Sequence, residues 1–213
     1  MKLFRVKPNE FVNENYKGFM NINLRVEKLS GKVLVDKDAD LVMRNFVRWL
    51  YHLLAQYALA DTPSVTLVDA GGTARTGHIG RSTTASLKYS RNVATGAGQA
   101  DIGMDTSGIV IGSGTTAPSR TDYAMQSLIP HGTGAGQITY NRQTYEELNE
   151  YSFRLTREFT NAGSDLNVSE AGLYNLTLVN SDSVYQILFL RDVFTTVTVT
   201  AGNGIRVRYT FSF

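Results

Sequence analysis

The run TVTVTAGNGIRVRYTFSF, Thr196 to Phe213, decides the fold class. Val197 and Val199 alternate with Thr196, Thr198 and Thr200. After Ala201-Gly202-Asn203-Gly204, Ile205, Val207, Tyr209, Phe211 and Phe213 alternate with Arg206, Arg208, Thr210 and Ser212. A period of two sends successive side chains to opposite faces, so the run reads as two antiparallel strands joined by a glycine turn, the second with one wholly apolar face. That face continues to Phe213, which predicts that trimming from Tyr209 onward removes core and not a tail.

Upstream, Tyr151–Thr160, Leu173–Val179 and Val184–Phe194 read as further strands, with turns at Asn161-Ala162-Gly163-Ser164 and Asn180-Ser181-Asp182. At the opposite end of the chain Met20, Ile22, Leu24 and Val26 alternate with Asn21, Asn23, Arg25 and Glu27, and Ser30-Gly31 turns them into Val33-Leu34-Val35 as a hairpin. Ile109-Val110-Ile111 reads as a short strand, followed by a glycine turn and one or two helical turns over Ala124 to Leu128. Glu146 to Glu150 reads as an exposed acidic turn.

One segment changes period. Leu41, Val42, Phe46, Val47, Leu50, Leu53, Leu54 and Tyr57 recur at three and four, which predicts an amphipathic helix over 41–59, capped by Asp38 or Asp40 and ending before Asp61-Thr62-Pro63. Arg44, Arg48 and His52 lie four apart on its other side as a solvated basic row able to meet phosphate or a carboxylate. Residues 1–16 read as an arm, 17–213 as a single domain, and 61–108 and 112–136 as long loops suited to reach neighbouring copies. The expected architecture is mainly β, an antiparallel β-sandwich of jelly-roll type with one amphipathic α-helix.

Composition bounds the function. The 213 residues, 42% hydrophobic and only 19% charged, support one substantial core. The absence of cysteine excludes disulfides, thiolate metal sites and cysteine nucleophiles. The start MKLFRVKPNEF lacks the apolar stretch of a secretory signal, and the longest apolar run, Trp49 to Leu59, is broken by His52 and Gln56, so a soluble protein without membrane insertion is expected. A net charge of +2 does not point to nucleic acid, although residues 1–100 hold 14 Lys/Arg against 8 Asp/Glu and residues 101–213 hold 7 against 11. Folding that mixes the two halves accounts for this, with head-to-tail docking as the alternative.

Catalytic templates find no purchase. His52, His78 and His131 lie on different elements without metal-ligand spacing, and Gly112-Ser113-Gly114 has neither the lysine of a phosphate-binding loop nor the first glycine of a nucleophile elbow. Glu146, Glu147, Glu150 and Glu158 are the carboxylates nearest to a glycosidase pair and read as exposed solubilising groups. Asp101, Asp105, Asp165, Asn167 and Glu170 lack calcium-loop spacing. No cofactor or metal is expected. Tyr140 and Tyr145 are the tyrosines best suited to stack on a sugar.

The string IVIGSGTTAPSRTDYAMQSL, Ile109 to Leu128, resembles a segment of virion structural proteins of tailed bacteriophages, in which a strand leads through G-x-G-T-T-A-P to a T-D-x-A-L-like turn; here Met125 stands at the leucine. EFTNAGSDLNVSEAGLYN, Glu158 to Asn175, and FLRDVFTTVTVTAGNGIRVRYTFSF, Phe189 to Phe213, are similar to the end of the same family, with S/T-E-x-G-L-F/Y and L-x-R-D-x-F before paired terminal strands. These motifs cover about half the chain. The resemblance implies a non-enzymatic virion subunit assembling with its own copies and with other virion proteins in tail, neck, baseplate or capsid decoration. Lys2, Arg5, Lys7, Arg44, Arg48, Glu170 and Arg191 are the residues expected to serve assembly, with Glu170 and Arg191 paired across neighbouring strands to hold register at a sheet corner. The alternative is a host-surface carbohydrate-binding module using Tyr140 and Tyr145.

Overall fold

The computed structural model describes residues 20–55, 64–79, 91–92, 96–97, 100–179 and 183–213. Its elements in chain order are β1 (Asn21–Lys28), β2 (Val33–Asp38), β3 (Leu41–Val42), α1 (Arg44–Ala55), β4 (Val65–Val68), β5 (Ala74–Gly77), β6 (Arg91–Asn92), β7 (Gly96–Ala97), β8 (Gly108–Gly112), β9 (Thr139–Tyr140), β10 (Thr144–Asn149), β11 (Ser152–Thr160), β12 (Leu166–Val179), β13 (Ser183–Val199) and β14 (Gly204–Ser212). The arm at 1–16, with Lys2, Arg5 and Lys7, lies outside the described residues.

The protein is mainly β and antiparallel, as the alternation predicts. Sheet A runs β10-β11-β14-β1-β2, with β9 also paired to β11; sheet B runs β3-β13-β12-β8. Ile22, Leu24 and Val26 of β1, and Ile205, Val207, Tyr209 and Phe211 of β14, point into one core shared with Ile109, Ile111, Val168, Leu188 and Leu190 of sheet B. Arg206, Arg208, Thr210 and Ser212 face outward between them. β14 is the centre of sheet A, with β1 on one side and β11 on the other. Because β1 comes from the basic half of the chain and β14 from the acidic half, folding mixes the two charge populations: Arg206 of β14 bonds Glu27 of β1 at 2.8 Å.

Sheet B is covered on both sides. Its inner face meets sheet A. On its outer face Phe46 and Trp49 of α1 hold Phe189 at ring-centre distances of 5.1 and 5.2 Å, and the segment after β8 folds back over β12 and β13. Burial on two faces explains why β8 reads Ile109-Val110-Ile111 without alternation, all three being fully buried.

Several expectations are corrected. Leu41 and Val42 form a strand on β13, opposite Arg191 and Leu190, so the helix starts at Arg44, and the part of the expected helix beyond Ala55 lies outside the described residues. Asp40 does not cap it; Met43 O accepts from Phe46 N, and Arg44 N donates to Arg120 O. Ala124–Leu128 is a run of bends without helix and bridges Gly112 through Leu128. Thr144–Asn149 is an edge strand and not a turn, its acidic side chains exposed as expected. The expected strands 184–194 and 196–200 are one continuous β13. Residues 64–79 form a hairpin whose Val65 and Leu67 are buried. Phe213 is 57% exposed, so the inward row ends at Phe211.

Candidate functional site

The segments that carry the virion resemblance converge on one buried cluster. Glu170 opens the Ser-Glu-Ala-Gly-Leu-Tyr stretch of β12 and is fully buried. Its Oε1 accepts from Gly114 N at 3.2 Å and Ser127 N at 2.7 Å; its Oε2 accepts from Gln126 N at 3.2 Å and Arg191 Nε at 2.9 Å. Arg191, from the Leu-Arg-Asp stretch of β13, also donates to Asp122 Oδ2 at 2.7 Å, Thr116 O at 3.0 Å and Gln126 Oε1 at 3.4 Å. Ser169 Oγ donates to Gly114 O at 3.0 Å, and Met125 N to the Tyr174 hydroxyl at 2.8 Å. A Cβ at Gly112 or Gly114 would collide with the Glu170 carboxylate, so both glycines are required by closeness.

The expected Glu170–Arg191 pair is therefore present, but what it fixes is wider than strand register. It clamps residues 114–127 onto the outer face of sheet B. This part of the 112–136 loop, expected to reach neighbouring copies, is held on the protein's own surface, because a buried carboxylate and a buried guanidinium both need hydrogen-bond partners and the segment supplies them. Chemically the cluster is saturated: the carboxylate already holds four donors and the guanidinium four acceptors.

A second network lies across the sandwich. Asp192 points inward, where Tyr209 OH donates to its Oδ2 at 2.7 Å and Asp40 N donates to its Oδ1. Asp40 Oδ2 accepts from Val193 N at 2.9 Å, and Lys37 Nζ bonds Asp40 and, at 2.9 Å, Val193 O. Burial pushes the Asp192 carboxyl up to about 6 against the bonds from Tyr209 and Asp40 N, and the same burial holds Tyr209 well above its ordinary value. Asp40, expected as a helix cap, is instead the bridge between β3 and β13.

Arg157 was legible yet missed. On β11 it occupies the register of Leu155 and Phe159, the inward row, and is fully buried. It has carbonyl partners only: Nε donates to Asn141 O at 2.8 Å, Nη1 to Ser107 O and Ile109 O at 2.9 Å, and Nη2 to Asp101 O at 2.9 Å, with the Tyr140 ring 4.9 Å away. Burial lowers its pKa to about 10. A charged residue in an apolar alternation was the available signal.

The remaining expected residues separate. Tyr140 is buried, its hydroxyl donating to Ile129 O at 2.7 Å, so it cannot present a face to a sugar; Tyr145 is 54% exposed against Phe153. The pair offered for glycan contact is not a surface pair. Arg44 is exposed. Arg48 donates to Thr66 O at 3.0 Å and His52 is buried, so these two belong to a seam against the β4–β5 hairpin while Arg44 alone keeps to the solvated face; Asn45 joins the seam, exchanging bonds with Val68 N and O. His52 and His78 come to a ring distance of 5.8 Å, and His131 Nδ1 accepts from Tyr140 N at 3.2 Å. Among the described residues no group of three or more His, Asp or Glu converges as a metal site.

The outward row of sheet A forms a charged surface of its own. Register sets Asn23 beside Thr210 and Thr210 beside Arg154, then Arg25 beside Arg208, then Glu27 beside Arg206 and Arg206 beside Glu158. Glu27, 3% exposed, is approached by Arg206 at 2.8 Å, Arg208 at 2.6 Å and Arg25 at 3.4 Å, and Arg206 also bonds Glu158. Compared with protein-family models, with curated proteins and with solved structures, the chain finds no match.

Proposed function

We propose that this chain is a non-enzymatic structural subunit of a tailed-phage virion, working by shape and contact within a symmetric multi-copy part of the particle. One observation carries the reading. The residues that bear the resemblance, Gly112, Gly114, Thr116, Asp122, Gln126, Glu170, Arg191 and Asp192, come from three segments far apart in the chain, and all are used to hold a sandwich and its covering loop in one rigid form. Such a body suits a part that transmits shape to its neighbours.

Because residues 114–127 are held internally, contact between copies is assigned to other surfaces: the edge of β10 with Tyr145, the neighbouring Tyr151 and Phe213, and the arm at 1–16. Placement in tail, neck, baseplate or capsid decoration follows from which partner these surfaces meet. Native mass spectrometry and electron microscopy of the full chain test the reading. Closed rings or a regular lattice are expected, and a uniformly monomeric chain that is also missing from purified particles would overturn it.

A further inference from the structure

The outer face of sheet A sets four arginines, Arg25, Arg154, Arg206 and Arg208, around a single buried carboxylate, Glu27. Arg25, Arg154 and Arg208, with Asn23 and Thr210, line an open recess of about 300 Å³ whose walls include no acidic residue. The one buried carboxylate nearby, Glu27, is already divided among Arg25, Arg206 and Arg208, and Glu158 is taken by Arg206. The other carboxylates within reach stand on the rim: Asp36, 3.9 Å from Arg25 and 50% exposed, and Glu146, 3.4 Å from Arg154 and 61% exposed, where an ion pair contributes little.

Two further features mark the recess. The Nε atoms of Arg154 and Arg208 are buried without a hydrogen-bond partner, and that of Arg25 has Glu27 Oε2 at 3.4 Å outside hydrogen-bond geometry. Burial, and then the like charges of Arg206, Arg154 and Arg25, pull the Arg208 guanidinium down while Glu27 opposes them. Three guanidiniums facing one small space, with an amide and a hydroxyl but no carboxylate among its walls, repel one another and are relieved when an anion enters.

We infer that this recess is a binding site for a small oxyanion group, phosphate, sulfate or carboxylate, held by the guanidiniums of Arg25, Arg154 and Arg208 beside the Thr210 hydroxyl. The site is independent of the virion reading and would exist on a single copy.

Calorimetric titration of the full chain with sodium phosphate, sodium sulfate and sodium acetate, at neutral pH and constant ionic strength balanced by chloride, tests it. At least one anion is expected to saturate a single site per chain, and the one that does so separates a tetrahedral ligand from a planar one. Arg154→Gln and Arg208→Gln are each expected to weaken binding by about tenfold or more. Arg142→Gln, which loses a pairing with Asp101 and does not line the recess, leaves it unchanged. Circular dichroism checks folding. If Arg208→Gln fails to fold because Glu27 loses a partner, Arg154→Gln decides alone. Absence of saturation by all three anions, or saturation that survives the cleft substitutions, overturns the inference.

Discussion

Glu170 and Arg191 meet at 2.9 Å although they are not register partners: Glu170 lies opposite Val193, and Arg191 opposite Gly172. The bond is diagonal across β12 and β13, and both side chains stay under the loop that they hold. Replacing Glu170 by Gln is expected to destabilise the protein by roughly 3 to 5 kcal/mol, because Arg191 loses the buried one of its two countercharges and an amide donor is pushed among the N–H groups of Gly114, Gln126 and Ser127. Urea unfolding should show a lower midpoint at unchanged slope. Exchanging the charges, Glu170→Arg with Arg191→Glu, should not restore stability, since those three N–H groups need an acceptor at position 170; recovery of the wild-type midpoint would mean that the ion pair alone matters.

Asp192 gives a pH dependence with a defined sign. Its folded pKa, about 6, stands above the ordinary 3.8, so the folded protein binds the proton more tightly than the unfolded chain. The penalty is fully present above pH 6 and is relieved as pH falls through 6 toward 4, a span of roughly 3 kcal/mol at about 1.4 kcal/mol per unit. Asp192→Asn imitates the protonated form, so it should be the more stable protein at neutral pH and lose that advantage near pH 4. A constant difference across a pH series of thermal melts would contradict this.

Arg157 ties the carbonyls of Asp101, Ser107, Ile109 and Asn141 to one planar group. Arg157→Met leaves those acceptors orphaned and should cost more than about 3 kcal/mol. Arg157→Lys should recover little, because an ammonium cannot reach four acceptors spread around a guanidinium plane. Amide exchange around residues 101–109 should rise in both variants before it rises in β1 or β14.

Truncation distinguishes the two ends of the last apolar row. Removing Phe213 alone should cost about 1 kcal/mol or less, the loss of one exposed ring against Phe153. Removing Tyr209 through Phe213 deletes two buried aromatics and the Asp192 partner, at roughly 3 to 5 kcal/mol for each ring, and no cooperative melt should remain.

What was readable in the sequence was the part governed by nearest neighbours. Alternation placed β1 and β14 and assigned Arg206 and Arg208 outward, because one face of each strand is buried and the other is not. At β8 the apolar run Ile109-Val110-Ile111 gave the strand without alternation, since both faces are buried, whereas the helical turns expected at Ala124–Leu128 are overruled by Glu170 capturing the N–H groups of Gln126 and Ser127 from more than forty residues away. The capping role of Asp40 and the stacking role of Tyr140 failed for the same reason. Residue type suggested a local use, while the actual partners, Val193 and Asp192 in one case and Ile129 in the other, belong to distant chain. The arginine recess was half visible: the sequence supplies Arg206 and Arg208 on one face, but only the order of sheet A brings Arg25 and Arg154 beside them.

The seat of β14 between β1 and β11 bears on synthesis as well as on rigidity. Strands β1 and β2 can close as a hairpin soon after they leave the ribosome, yet β1 must wait through more than 170 residues of translation for its other neighbour, since Asn21 pairs with Ser212. Until then Ile22, Leu24 and Val26 have no sheet to complete, and the nascent chain carries an unpaired apolar edge. That single strand order therefore delays the completion of sheet A until β14 has left the ribosome.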